Sequence, residues 1–242
     1  MADLFGHGVQ RVDALSLHQP WASLVLRGLK HQETRGRAAP DRLIGAPLAI
    51  HAAKLWGPHE RTMLGGMVAR FRDDFALLWS EAADMDPGRR NLPPLGVWLG
   101  VTCIVAQEQM TGEMVDALPP RERAMGNWRE GRWAYTLGPV VRLPEPIAAP
   151  GRQSWFSTED ERLCQAADVL RWNMRHGEPG ARDPRPTRIP VRYWTGFREG
   201  PGRESVTRTE AQLMGGRAVV WVDGQGSCIA LSHVEAMPKV RA

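Results

Sequence analysis

Apolar and polar positions alternate from Val12 to Leu17, the two-residue period of a half-buried strand. After Pro20 the period changes. Trp21, Leu24, Val25, Gly28 and Leu29 fall three or four residues apart, which predicts an amphipathic helix of about ten residues that Gly28 terminates. Pro20 suits the first turn because its fixed φ and missing N–H cost nothing there. Residues 47–53 (PLAIHAA) form an apolar run consistent with a barrel strand, and Leu95 to Val105 (LGVWLGVTCIV), rich in β-branched and aromatic residues, reads as another strand. Between them, Leu64, Met67, Val68, Phe71, Phe75, Leu78 and Trp79 predict a long helix over Glu60 to Ala83, followed by a Pro- and Gly-rich loop from Asp86 to Pro94. Met110 to Trp128 is polar and irregular, with room for one short helix. Trp133 to Leu143 reads as a strand pair, and the prolines that follow it demand an extended or edge path.

The pattern changes again beyond residue 158. Leu163, Ala166, Ala167, Leu170 and Met174 predict a helix over Thr158 to Met174, with Thr158 and Glu161 spaced as a capping box. His176 to Pro186 (HGEPGARDPRP) has linker composition. Short strand patterns at Ile189–Trp194, Ala218–Val222 and Ser227–Leu231 are separated by turn-prone segments, as in a small barrel of the SH3-like kind. The last residues, MPKVRA, are expected to fray. The expected fold class is α+β: a mixed β-barrel with flanking helices over 12–157, a helix and linker over 158–186, and a small β domain over 187–236.

Composition narrows the function classes. No run approaches the roughly 20 apolar residues of a membrane span, and the first residues lack a basic stretch followed by an apolar one, so a cytoplasmic location away from membranes is expected. Cys103, Cys164 and Cys228 are scattered and form no CxxC pair, so neither a disulfide framework nor a metal site is expected. Net charge is +4, but the segment from Arg171 to Arg208 holds nine arginines against four acids, a local surplus of five that favours a polyanionic partner. Lysine is scarce: Lys30, Lys54 and Lys239 are the three.

Most of the chemistry lies in one stretch. Ser16, His18, Gln19, Pro20, Trp21, Ala22, Ser23 and Leu24 are followed by Gly28, Lys30, Glu33 and Arg35. Strand alternation puts Glu33 and Arg35 on one face, and Lys30 joins them from the end of the helix. A cation, a carboxylate and a planar guanidinium in one place can neutralise a phosphate and fork onto a base edge. His18, Gln19 and Trp21 add hydrogen-bonding groups and an aromatic plane.

This stretch strongly resembles the N-terminal signature of the ASCH family. Gly45 to Ala52, Leu95 to Val101, Trp133 to Tyr135, and Pro144 to Ile147 through Trp155 extend the resemblance over roughly 12–157. The resemblance implies a PUA-like fold, with a helix leaning over a cleft in a curled mixed sheet, and binding of RNA or another nucleic acid. Some small members of the family hydrolyse N4-acylated cytidine with a lysine, a threonine three residues on and a later glutamate. Here Glu33 stands three residues after Lys30, and Thr34 should point to the opposite face, which departs from that scheme.

The expected nucleic-acid-binding set is therefore His18, Gln19, Trp21, Lys30, Glu33, Arg35, His51 and Lys54, with Arg192 and Arg198 adding backbone contacts from the second module. Partners would be RNA, DNA, or a free or modified nucleoside, with a protein partner open to the C-terminal domain and no cofactor expected. The rival reading is a metal-independent hydrolase, an acylcytidine amidohydrolase or ribonuclease, with Lys30 and Glu33 as its catalytic pair and Tyr135 as a further candidate. Bland readings stand beside these: a strand-ordering Glu33–Arg35 salt bridge, a core Trp21, a packed His51 and a solvated Lys54.

Overall fold

The computed structural model of the chain describes residues 10–70, 93–176 and 188–238. Seven strands form one mixed sheet: β1 (Val12–Leu17), β2 (Gln32–Arg35), β3 (Pro47–Ala52), β4 (Val97–Gln109), β5 (Trp133–Leu137), β6 (Val141–Ala148) and β7 (Trp155–Thr158). Their order is β2-β5-β4-β3-β1-β7, with β6 also on β4. Only β1 and β3 run parallel. The architecture is of the expected α+β class, a large mixed sheet accompanied by two smaller sheets.

Both faces of this sheet are covered, which explains the unbroken apolar run of β3. Leu48 and Ile50 enter the core beneath helix α1 (Trp21–Leu26), while Ala49 packs toward the other face, which a later helix covers. Strand β4 is longer than its apolar pattern predicts. Its polar end, Gln107 to Gln109, is held by pairing with β5, and the Gln107 side chain bonds the backbone of Ala39 in both directions.

Helix α1 is shorter than expected, and its end is specific. Gly28 adopts φ +63°, the Gly28 N–H bonds the Val25 carbonyl and the Leu29 N–H bonds that of Leu24. These are the two bonds of a Schellman motif, which reverses the chain and turns Lys30 inward. Helix α2 (Pro58–Arg70) covers the described part of the long predicted helix; residues 71–83, and 86–92 of the predicted loop, lie outside the described residues. The irregular stretch after Met110 holds two short helices, α3 (Gly112–Ala117) and α4 (Pro120–Ala124).

Helix α5 (Glu161–His176) starts later than Thr158, and the expected capping box does not form. Thr158 still belongs to β7; Asp160 makes the cap, its carboxylate accepting from the Arg162 N–H. Leu163, Cys164, Ala166, Ala167 and Leu170 pack on the large sheet, Ala49 included. Val169 faces the other way, against Ala211 and Ala218.

The C-terminal strands are β8 (Pro190–Tyr193), β9 (Arg203–Val206), β10 (Gln212–Met214), β11 (Arg217–Val220), β12 (Ile229–Ala230) and β13 (Val234–Ala236). They form two three-stranded sheets, β13-β8-β9 and β10-β11-β12. Backbone bonds from Arg208 to Trp221 and from Asp223 to Val206 join the two. Val191, Tyr193, Val220, Val222 and Ile229 share their core.

Candidate nucleic-acid interface

Strand β7 pairs with β1 only as far as Leu15. On the other edge of β1, Leu17 turns its carbonyl toward β3, where the Ala53 N–H bonds it. The Ser16 carbonyl points the opposite way, into a seam that no described strand fills. Arg35, at the end of β2, reaches across this seam and donates from Nη2 to the Ser16 carbonyl at 3.3 Å. Its Nε lies 3.1 Å from Glu33 Oε1, an ion pair without the alignment of a hydrogen bond. The alternation expected of β2 is observed: Thr34 points away and accepts from Arg132 Nε. Arg35 keeps a third of its side chain exposed.

The parallel ends of β1 and β3 deliver further groups to the same end of the sheet. His18 follows β1 with its side chain 47% exposed, and its Nδ1 donates to Glu60 Oε1 at 3.1 Å. Glu60 also accepts from the Gly57 N–H, closing the start of α2, and backbone N–H groups hold its carboxyl below the usual range. Lys54 and Leu55 follow β3 and are exposed. Arg152, which sequence reasoning passed over, is exposed beside Gly151. A Cβ on Gly151 would lie 2.4 Å from the His51 ring and 3.1 Å from Ser16 Oγ, so glycine lets this loop pass close to β1 and β3. Trp155 and Tyr135 line the interior, their rings 6.0 Å apart. Burial pushes the Tyr135 phenol up to about 12.

Other expected site residues face inward and are occupied. Gln19 is fully buried; its Nε2 donates to the Pro94 carbonyl and its Oε1 accepts from the Ser23 N–H at the first turn of α1. His51 is fully buried against Trp98. Its Nε2 donates to the Ala149 carbonyl, so Nδ1 accepts from Ser16 Oγ at 3.2 Å. Burial lowers the His51 pKa, which keeps the ring neutral. Trp21 is half-buried and packs with Leu24 and Met125.

Lys30 departs most from the ligand-contacting place in the cleft expected for it. Its side chain is fully enclosed. Nζ donates to the Met125 carbonyl at 2.8 Å, lies 3.7 Å from Glu33 and 3.8 Å from Glu122, and sits 5.2 Å from the Trp128 ring. Burial lowers its pKa, while Glu33 and Glu122 pull it back up. The cleft is filled at this depth by the segment around α4, which no pattern in the sequence places there.

Arg192 and Arg198 are also engaged. Arg192 pairs with Glu204 at 3.0 Å. Arg198 pairs with Glu235, donates to the Ser232 carbonyl and stacks over Trp194. Much of the arginine surplus along the chain is offset in space, because Asp168, Asp223 and Glu235 lie outside the 171–208 window yet pair with Arg171, Arg188 and Arg198. Among the described residues, no three His, Cys, Asp or Glu side chains converge as metal ligands, and no helix is long and apolar enough to cross a membrane.

No family model matches the chain, and no curated protein matches it. Among solved structures it is similar to the crystal structure of a point mutant of the ZmASCH protein from Zymomonas mobilis. The match covers 61% of this chain and 89% of that chain, at 16% identity and a TM-score of 0.34. So loose an overlay transfers no residue role.

Proposed function

We propose that this chain binds nucleic acid, RNA or a strand carrying a modified base, at the seam between β1 and β2. The observation that carries the reading is Arg35. It spans the unpaired edge of β1, is oriented by Glu33 and Ser16, and keeps a third of its side chain exposed. A guanidinium held in this way is ready to meet a phosphate or a base edge with little loss of rotamer freedom. His18 and Lys54, which follow the parallel strand pair, and Arg152, beside Gly151, are exposed and would add further donors. Gln19 and His51 serve this site by fixing α1 and β1, and Arg192 and Arg198 would contribute only by giving up their present partners.

Fluorescence anisotropy with labelled single-stranded RNA, single-stranded DNA and duplexes at low salt tests this reading. Binding that weakens steeply with added salt is expected. No binding to any of these probes overturns it.

One observation favours a second reading, a hydrolase acting on a modified nucleoside or on RNA. Ser16 Oγ donates to a neutral His51 whose far nitrogen is fixed by the Ala149 carbonyl, the arrangement that activates a hydroxyl. The alternative catalytic pair of Lys30 and Glu33 requires the enclosing segment to move first. Incubation with acylated cytidine and short RNA, beside Ser16→Ala and Lys30→Ala, separates these. Turnover lost only in Ser16→Ala supports the dyad, and absence of turnover in all three proteins removes the hydrolase reading.

A further inference from the structure

Glu122 is bound as a foreign anion would be bound. Its carboxylate accepts from two successive backbone N–H groups, His31 at 3.3 Å and Gln32 at 3.2 Å, and faces the Lys30 ammonium at 3.8 Å. Two consecutive amides and a cation converging on one point form the concavity in which proteins hold phosphate oxygens. The Schellman turn at Gly28 aims these groups at that point, and β2 begins immediately after it.

The segment that supplies Glu122 is lightly attached. Over 111–128 only Glu122 and Met125 are buried. Trp128 folds back to donate from Nε1 to the Glu122 carbonyl at 2.8 Å, a turn that Gly126 permits because a Cβ there would lie 2.5 Å from the indole. Beside Glu122 lies a cavity of about 300 Å³ bounded by Leu29, His31, Gln32, Pro119, Arg121 and Glu122. A ligand can therefore approach from the side on which the carboxylate sits.

We infer that Lys30 and the amides of His31 and Gln32 form a phosphate-binding site, and that Glu122 is its resident plug. A phosphodiester carries one negative charge, as the Glu122 carboxylate does. Exchanging the carboxylate for a phosphodiester leaves the charge around Lys30 unchanged, and a terminal phosphate, more negative still, also keeps the cation paired, so either exchange avoids the penalty of a buried unpaired cation. When the plug leaves, Lys30 also loses Met125 and Trp128 and becomes reachable beside Glu33 and Arg35. The inference deepens the nucleic-acid reading and rests on it for the source of the phosphate, which is either an internal phosphodiester or a terminal phosphate.

The test is calorimetric titration of the full chain with inorganic phosphate and with two short RNAs, one carrying a 5′-phosphate and one ending in a hydroxyl. Glu122→Gln removes the competing charge and keeps the shape. It should bind phosphate about tenfold more tightly than the unaltered chain, in line with the loss of a charge-assisted competitor. Adding Lys30→Gln should abolish the gain. A preference for the 5′-phosphorylated RNA marks a terminal phosphate as the ligand, and equal gains for both RNAs mark the backbone.

Trp128→Ala loosens the same segment and keeps both charges, removing only the ring that lies over Lys30, so it serves if the first variant folds poorly. It too should bind phosphate more tightly, and hydrogen exchange over 119–128 should rise on adding phosphate to the unaltered chain. Unchanged phosphate affinity in a folded variant overturns the inference. If the unaltered chain binds RNA while neither variant gains phosphate affinity, the plug is wrong and the seam stands. If the variants gain phosphate affinity but no RNA binds, the anion site stands and the nucleic-acid reading falls.

Discussion

Lys30 shows what a single residue can conceal. Glu33 and Arg35 were legible as neighbours because strand alternation acts over two residues. The enclosure of Lys30 was not legible, because the groups that enclose it, Glu122, Met125 and Trp128, come from some ninety residues further along the chain, 91 from His31 to Glu122. Removing the cation should leave two carboxylates facing each other in a buried place. Lys30→Met is expected to cost about 3–5 kcal/mol in denaturant unfolding. Adding Glu122→Gln should restore part of that loss.

The pH dependence has a definite sign. The folded-state pKa of Lys30 lies below 10.5, so between that lowered value and 10.5 the unfolded chain holds more protons. Stability should therefore rise with pH across this window from the Lys30 contribution, and the slope should flatten in Lys30→Met. Tyr135 acts oppositely and later. Its phenol is pushed up to about 12, so the neutral form stabilises the fold below 10 and that contribution is lost as pH rises from 10 to 12. Urea unfolding of the unaltered chain and of Tyr135→Phe across this range should diverge in slope.

At the scale of elements, the period of the sequence located most strands, while local hydrogen bonds, backbone at the end of α1 and side-chain at the start of α5, decided where helices begin and end. Gly28 was readable as a terminator because a left-handed residue is needed there. Thr158 and Glu161 had the spacing of a capping box, yet β1 claims Thr158 by pairing at Val12, and Asp160 takes over the cap. Gln19 looked like a ligand-binding group and instead ties the first turn of α1 to Pro94. Gln19→Ala takes from the part-buried Pro94 carbonyl and Ser23 N–H the side chain that bonds them and is expected to cost about 1–3 kcal/mol in chemical denaturation. Retention of full stability would show that water replaces both bonds.

Across the whole molecule, α5 is the joint. Read from the sequence it belonged to a connecting stretch, because one amphipathic stripe indicates one partner. In the structure a second face, through Val169, carries Ala211 and Ala218 of the C-terminal part. Asn173 extends this contact by bonding the Ala211 backbone in both directions. The chain is accordingly expected to unfold in a single cooperative transition by calorimetry, and two separated transitions would show that the modules are independent. The same spatial view reduces the arginine surplus, since ion pairs form between residues that a linear window does not count together.

The central claim is that nucleic acid is met at the seam, through Arg35, and not on the arginines of the second module. The direct measurement is the anisotropy titration repeated with Arg35→Ala and with Arg192→Ala. Arg35→Ala should lose about tenfold or more in affinity, the ~1.5–3 kcal/mol of a hydrogen bond to a charged group, while Arg192→Ala should bind within about twofold of the unaltered chain. Undiminished binding by Arg35→Ala, or its loss in Arg192→Ala alone, would contradict the account.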